Sequence, residues 1–228
     1  MNKTGVKICG LQSVEVLKSM VNLPVDYIGF VFADSKRRID GAHAGELLRV
    51  LDEWASGSRP RSVGVFVNPD DALLNDVMEK APLDVIQLHG QESPQRCREL
   101  KERFGIQIFK AWSVDSQGQT EQGKTEHRAD ELEAYVGTID ALLLDTYDPL
   151  YGGGSGKTFA WDRIPAYQAW THQHGIPLFV AGGLTADNAE KLISEYHPDG
   201  LDVSSGVETN GVKDIAKITA FVERVKQA

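Results

Sequence analysis

Two groups able to give or take a proton stand at the ends of apolar runs of strand length. Cys9 closes Val6-Lys7-Ile8, and Asp145 closes the run from Ile139 through Leu144. In parallel sheets, ligand chemistry gathers at the carboxyl ends of strands and on the loops that follow them. Other ends of this kind carry Phe32 with the loop to Arg37, then Asn68, His89, Trp112, Gly182-Gly183 and Ser204-Ser205. Each has a plain structural use alone: a strand-end cysteine is usually a small buried hydrophobe, and Gly-Gly can be a turn. Together they supply a thiol, a carboxylic acid, a guanidinium and two anion-binding loops, which is the inventory of a small-molecule site. The last two loops, Gly182-Gly183 and Ser204-Ser205-Gly206, are placed where barrels bind phosphate, with backbone N–H groups and hydroxyls as donors.

A glycine-rich loop, Gly152-Gly153-Gly154-Ser155-Gly156, follows Asp145 and runs into Lys157-Thr158. A nucleotide P-loop requires glycine five residues before Gly156. Tyr151 stands there, so that motif fails at its first position.

The elements that must carry these residues repeat. Apolar runs predict strands at Val6–Cys9, Asp26–Phe32, Ser62–Val67, Asp84–His89, Gln107–Val114, from Ile139, Ile176–Ala181 and Gly200–Ser204. Between them lie segments with helical spacing. These are a helix capped by Ser13, Ala42–Trp54, one begun by Asn68-Pro69, one opened by Ser93-Pro94, Leu132–Tyr135, Trp161–Gln173, Asn188–Tyr196 capped by Asp187, and Val212–Lys226. Asp115 to Arg128 reads as an exposed polar loop. Continuously apolar strands argue for a parallel sheet covered by helices. Eight such units predict an α/β fold, a (β/α)8 TIM barrel, with a doubly wound open sheet as the alternative. No linker divides residues 1–228, so a single domain is expected.

The chain has 228 residues and a net charge of −9, with no basic cluster to suggest nucleic acid or an anionic membrane. It shows no signal-peptide core and no apolar run of membrane-spanning length. Cys9 and Cys97 read as free thiols in a reducing cytoplasm.

At this point a family resemblance stands out. Lys7-Ile8-Cys9-Gly10, Gly64-Val65-Phe66-Val67, Gln87-Leu88-His89-Gly90, Leu143-Leu144-Asp145-Thr146, Ala181-Gly182-Gly183-Leu184 and Asp202-Val203-Ser204-Ser205-Gly206-Val207-Glu208 occur in order. Together they resemble the phosphoribosylanthranilate isomerase family over Val6 to about Val225.

The resemblance implies an Amadori rearrangement of N-(5-phosphoribosyl)anthranilate in tryptophan biosynthesis, with no cofactor and no metal. It implies Cys9 as general base and Asp145 as general acid. It places Arg37 on the anthranilate carboxylate in preference to Arg38, Asp202 on a sugar hydroxyl, and Gly154, Gly182, Gly183, Ser204 and Ser205 around the substrate and its phosphate. Gln87 and His89 are expected near the sugar. Two departures are visible: Lys36 stands where many members have proline, and three glycines precede Ser155 where two are usual. The partner implied is a phosphorylated aminosugar, with the chain a monomer or a homodimer. Other readings are the aldose–ketose isomerase of histidine biosynthesis, expected to use paired carboxylates, and a phosphate-ligand barrel without catalysis. Lys7, two residues before Cys9, shares its side of the strand. It is expected either to lower the Cys9 pKa or to satisfy a carboxylate inside the barrel.

Overall fold

The computed structural model describes residues 4–54, 57, 59–114, 128–146, 158 and 160–228. Eight parallel strands close in sequence order into a barrel. They are β1 (Gly5–Cys9), β2 (Tyr27–Val31), β3 (Arg61–Phe66), β4 (Val85–Leu88), β5 (Gln107–Val114), β6 (Ala141–Thr146), β7 (Leu178–Val180) and β8 (Gly200–Val203). The helices are α1 (Val14–Met20), α2 (Gly41–Leu51), α3 (Asp71–Lys80), α4 (Pro94–Phe104), α5 (Arg128–Glu133), α6 (Ile164–His174), α7 (Ala186–Tyr196) and α8 (Ile215–Gln227). β8 pairs with β1, Lys7 opposite Asp202, so the sheet has no open edge there and the doubly wound alternative is excluded. No helix among the described residues is long and apolar enough to cross a membrane.

Several helix boundaries differ from the sequence expectation because a nearby oxygen caps better. Asp40, Asp70 and Asp214 accept from backbone N–H groups at the starts of α2, α3 and α8. α7 is capped by Thr185, in a reciprocal capping box with Asn188, so Asp187 falls in the first turn instead. α8 begins at Ile215, not Val212, because Val212–Lys213 forms a short strand, β10, against Glu208–Thr209, β9. Trp161–Arg163 is a 3-10 turn ahead of α6, and α5 precedes the position expected for it. His89 lies just beyond β4, in the loop.

Two apolar layers hold the barrel. Outside it, leucine, isoleucine and valine side chains of strands and helices share one continuous core. Inside, Tyr27, Val63, Val85, Phe109, Ala111, Ala141, Leu143, Phe179 and Ala181 pack together. Tyr27, Phe109 and Phe179 form a ring triangle with centroids 5.3–5.5 Å apart. This plug fills the barrel below its carboxyl-end rim, so a ligand meets the rim alone. Gly200 is required beside it: a Cβ there would sit 2.2 Å from the Phe179 ring. Overpacking a tight core costs about 1–3 kcal/mol. Gly200→Ala is therefore expected to lower unfolding free energy by about that amount in urea titration; an unchanged midpoint would show that the ring triangle can yield.

Candidate active site

The rim brings together Cys9 from β1, Arg37 from the loop after β2, His89 after β4, Asp145 from β6, and Asp202 and Ser204 from the β8 end. Cys9 is buried, and Gly29 on β2 makes its space, since a Cβ at that position would lie 2.8 Å from Sγ. Below the thiol, the Lys7 ammonium donates to Asp202 Oδ2 at 2.8 Å, with Lys7 wholly buried. Both sequence expectations for Lys7 thus hold in part. It satisfies a carboxylate, and its charge and hydrogen bonding pull the Cys9 pKa down, but burial outweighs that pull and pushes the thiol up. Lys213 adds a smaller downward pull, and Asp202 an upward one. Desolvation works against the Lys7 ammonium, but Asp202 and Cys9 together hold its pKa above the ordinary lysine value.

On the opposite side, Asp145 Oδ2 lies 3.2 Å from His89 Nε2, and its Oδ1 accepts from the Thr146 backbone at 2.7 Å. His89 Nδ1 is 3.1 Å from Gln87 Nε2. With the amide placed that way, Nδ1 accepts and Nε2 carries the proton toward Asp145. The loop holding His89 is pinned by a second buried pair, Lys110–Glu92 at 3.2 Å. Glu92 also accepts from the backbones of Asn68 and Gly90, and Lys110 donates to Gly90 O at 2.8 Å. Two buried oxygens at the rim, Gln87 Oε1 and Asp202 Oδ1, have no hydrogen-bond partner among the described residues. Buried polar atoms rarely stay unpaired in native proteins, so both are candidate acceptors for ligand hydroxyls.

The two loops expected to bind an anion are tightly built. Gly182 and Gly183 adopt φ of +85° and +61°, where a side chain is strained. Gly206 packs directly on the same loop: a Cβ would sit 1.7 Å from Leu184 O. Ser204 Oγ donates to Cys9 O at 3.1 Å, tying the β8 loop to the thiol's own backbone. Ser205 begins the 3-10 turn that follows.

Arg37 is buried and Arg38 exposed. Its stem crosses Gly10, whose missing side chain leaves room for it. Two residues here escape the sequence reading. Glu208 receives Arg37 Nε at 2.6 Å and Nη2 at 3.0 Å, and Lys213 bridges Glu208 Oε1 at 2.8 Å to Ser204 O at 2.8 Å. The signal for Lys213 was Asn210-Gly211, a hairpin dipeptide, here with φ of 52° and 79° between β9 and β10. Gly154 and residues 115–127 of the polar stretch lie outside the described residues. Among the described residues, no group of three or more His, Cys, Asp or Glu side chains could hold a metal ion.

Known proteins resemble this chain along its length. The family profile described as N-(5'phosphoribosyl)anthranilate (PRA) isomerase matches residues 6–224. The chain belongs to the N-(5'-phosphoribosyl)anthranilate isomerase family. An N-(5'-phosphoribosyl)anthranilate isomerase of Brevibacillus brevis is 45% identical over 98% of this chain and 94% of its own length. Among solved structures, phosphoribosyl anthranilate isomerase from Thermotoga maritima superposes with a TM-score of 0.77 at 36% identity, covering 99% of this chain and 100% of that one. A phosphoribosyl anthranilate isomerase in complex with reduced 1-(o-carboxyphenylamino)-1-deoxyribulose 5-phosphate superposes at 0.73 with 32% identity, over 99% of this chain and 100% of that one.

The electrostatics of Cys9 yield a direct prediction. Because burial raises its pKa, alkylation by iodoacetamide should gain rate only above the ordinary thiol range of about 8.5. Lys7→Met should move that profile further up, since the pull of Lys7 on Cys9 exceeds the opposing push of Asp202. Cys97, pushed up to about 11, is removed as a competitor by Cys97→Ala. A profile left in place by Lys7→Met would show that the ammonium does not act on the thiol.

Proposed function

We propose that this rim carries out the family's reaction with Cys9 as general base and Asp145 as general acid. The reaction converts N-(5'-phosphoribosyl)anthranilate to 1-(2-carboxyphenylamino)-1-deoxyribulose 5-phosphate, an isomerisation in tryptophan biosynthesis. The observation that carries the residue assignment is a buried thiol and a buried carboxyl at the ends of β1 and β6, sharing one rim with the glycine and serine loops.

The chemistry runs as four proton transfers, two for each catalytic group. Asp145 gives its proton to the furanose ring oxygen, the C1–O bond breaks, and the anilino nitrogen takes up the positive charge as an iminium. That charge makes the C2 hydrogen acidic. The Cys9 thiolate removes it, leaving an enolamine. Tautomerisation then restores both groups: the thiol proton goes to C1 and the enol proton returns to the carboxylate. A thiolate in so dry a place is a strong base, because water does not stabilise its charge. His89, whose Nε2 lies 3.2 Å from Asp145 Oδ2, stands beside that carboxyl. Asp202 Oδ1 and Gln87 Oε1 would accept sugar hydroxyls. Gly182, Gly183, Ser204 and Ser205 would donate to the phosphate, Gly154 would join them, and Arg37 would meet the anthranilate carboxylate. Each described group comes from one barrel, so monomer and homodimer are both compatible with the reading. A cytoplasmic location belongs to this reading and is supported by the two free cysteines.

Turnover of freshly generated substrate, followed by its fluorescence decay, tests this. Cys9→Ser and Asp145→Asn should each lose about 100-fold or more in kcat with ligand binding retained. Near-normal turnover in either variant would remove that residue from its role. A wild type that binds phosphorylated ligand without turnover would revive the non-catalytic barrel.

A further inference from the structure

The Arg37–Glu208–Lys213 cluster is more than surface electrostatics. All three side chains are under 10% exposed, and they join elements that are far apart in sequence. Arg37 meets Glu208 along one edge of its guanidinium, Nε and Nη2 each on a separate carboxylate oxygen. That edge accounts for two of five N–H bonds. The other edge, Nη1 with the second N–H of Nη2, has no acceptor among the described residues. Glu208 cannot swing away, because Lys213 holds Oε1 and is itself bound to Ser204 O and Oγ. The backbone keeps it there as well: Glu208 opens β9, paired to β10.

We propose that Glu208 is a positioning residue that clamps Arg37 by its side edge, so that the end edge is presented in a fixed plane to the substrate's aromatic carboxylate. This rests on the reading of Arg37 as the carboxylate-binding residue. A guanidinium can bind two carboxylates at once on different edges, and its planar fork gives specificity only when its orientation is fixed. Arg37 and Lys213 together carry two charges against one on Glu208, so the cluster keeps a net positive charge for the incoming anion. Lys213 also sets Glu208 relative to the Ser204 loop. The carboxylate end and the phosphate end of the substrate are thereby held at a fixed separation by one chain of buried charged contacts.

Calorimetric titration with two probes tests this. One is reduced 1-(o-carboxyphenylamino)-1-deoxyribulose 5-phosphate, and the other is the same molecule without its carboxyl group. In the wild type, loss of the carboxylate should cost roughly 10- to 100-fold in Kd. In Glu208→Gln that ratio should shrink to within about threefold, while the Kd of the probe lacking the carboxylate stays within about threefold of wild type. An unchanged ratio in Glu208→Gln would overturn the clamp, and so would an equal loss for both probes, which marks a merely structural residue. A wild type that does not discriminate the probes would instead overturn the reading of Arg37. If Glu208→Gln does not fold, Glu208→Asp decides by the same ratio. It keeps the charge but shortens the reach, so the carboxylate increment should fall, and a full wild-type ratio would overturn the proposal.

Discussion

One buried ion pair at the seam of the barrel governs the rest. Lys7 and Asp202 are register partners on β1 and β8, and their side chains meet at 2.8 Å out of solvent. Neither charge could stay there alone: removing one partner of a buried pair typically costs about 3–5 kcal/mol. The pair therefore fixes which residues of the first and last strands face each other. A one-residue slip would turn every inward side chain outward. Two residues beyond the pair on each strand stand Cys9 and Ser204, linked by a hydrogen bond. The thiol and the loop after β8 thus inherit their positions from the contact that closes the barrel.

Local charge runs against global charge. The chain carries −9 overall, yet Lys7, Arg37 and Lys213 gather around the Cys9 end of the rim, each tied to a carboxylate. Buried cations of this kind attract a phosphorylated, carboxylated ligand without filling the cleft with mobile counter-ions. Lys7 and Lys213 pull the Cys9 pKa down, but desolvation exceeds that pull, so the site combines a reluctant acid with a strong conjugate base. Binding an anion beside those cations would draw on charge already in place and require little reorganisation.

Much of this could be read in the sequence, for identifiable reasons. The strands are apolar on both faces and end in Gly, Pro or a polar residue, so their carboxyl ends announce themselves, and with them Cys9, Asp145, Gly182 and Ser204. Closure of the sheet could not be separated from an open sheet by periodicity, because it depends on Lys7 meeting Asp202, 195 residues away. A separation of 171 residues likewise hid the partner of Arg37. Glu208 was visible only as the end of a motif, and Lys213 was absorbed into an overlong helix because Val212 continues the apolar pattern of α8. Adjacency of Lys7 and Cys9 suggested a lowered thiol pKa. Sequence shows neighbours in number but not the depth of burial that decides the sign.

In the proposed reaction Asp145 opens the ring and Cys9 acts only afterwards. Borohydride trapping of enzyme-bound substrate tests this order, because hydride reduces an open-chain iminium to a stable secondary amine and leaves a closed furanose untouched. Cys9→Ser, with Asp145 intact, should yield the reduced N-(phosphoribityl) product above the buffer background, read by mass spectrometry. Asp145→Asn should yield none above that background. Equal trapping in both variants, or trapping in Asp145→Asn alone, would contradict the assignment of acid and base.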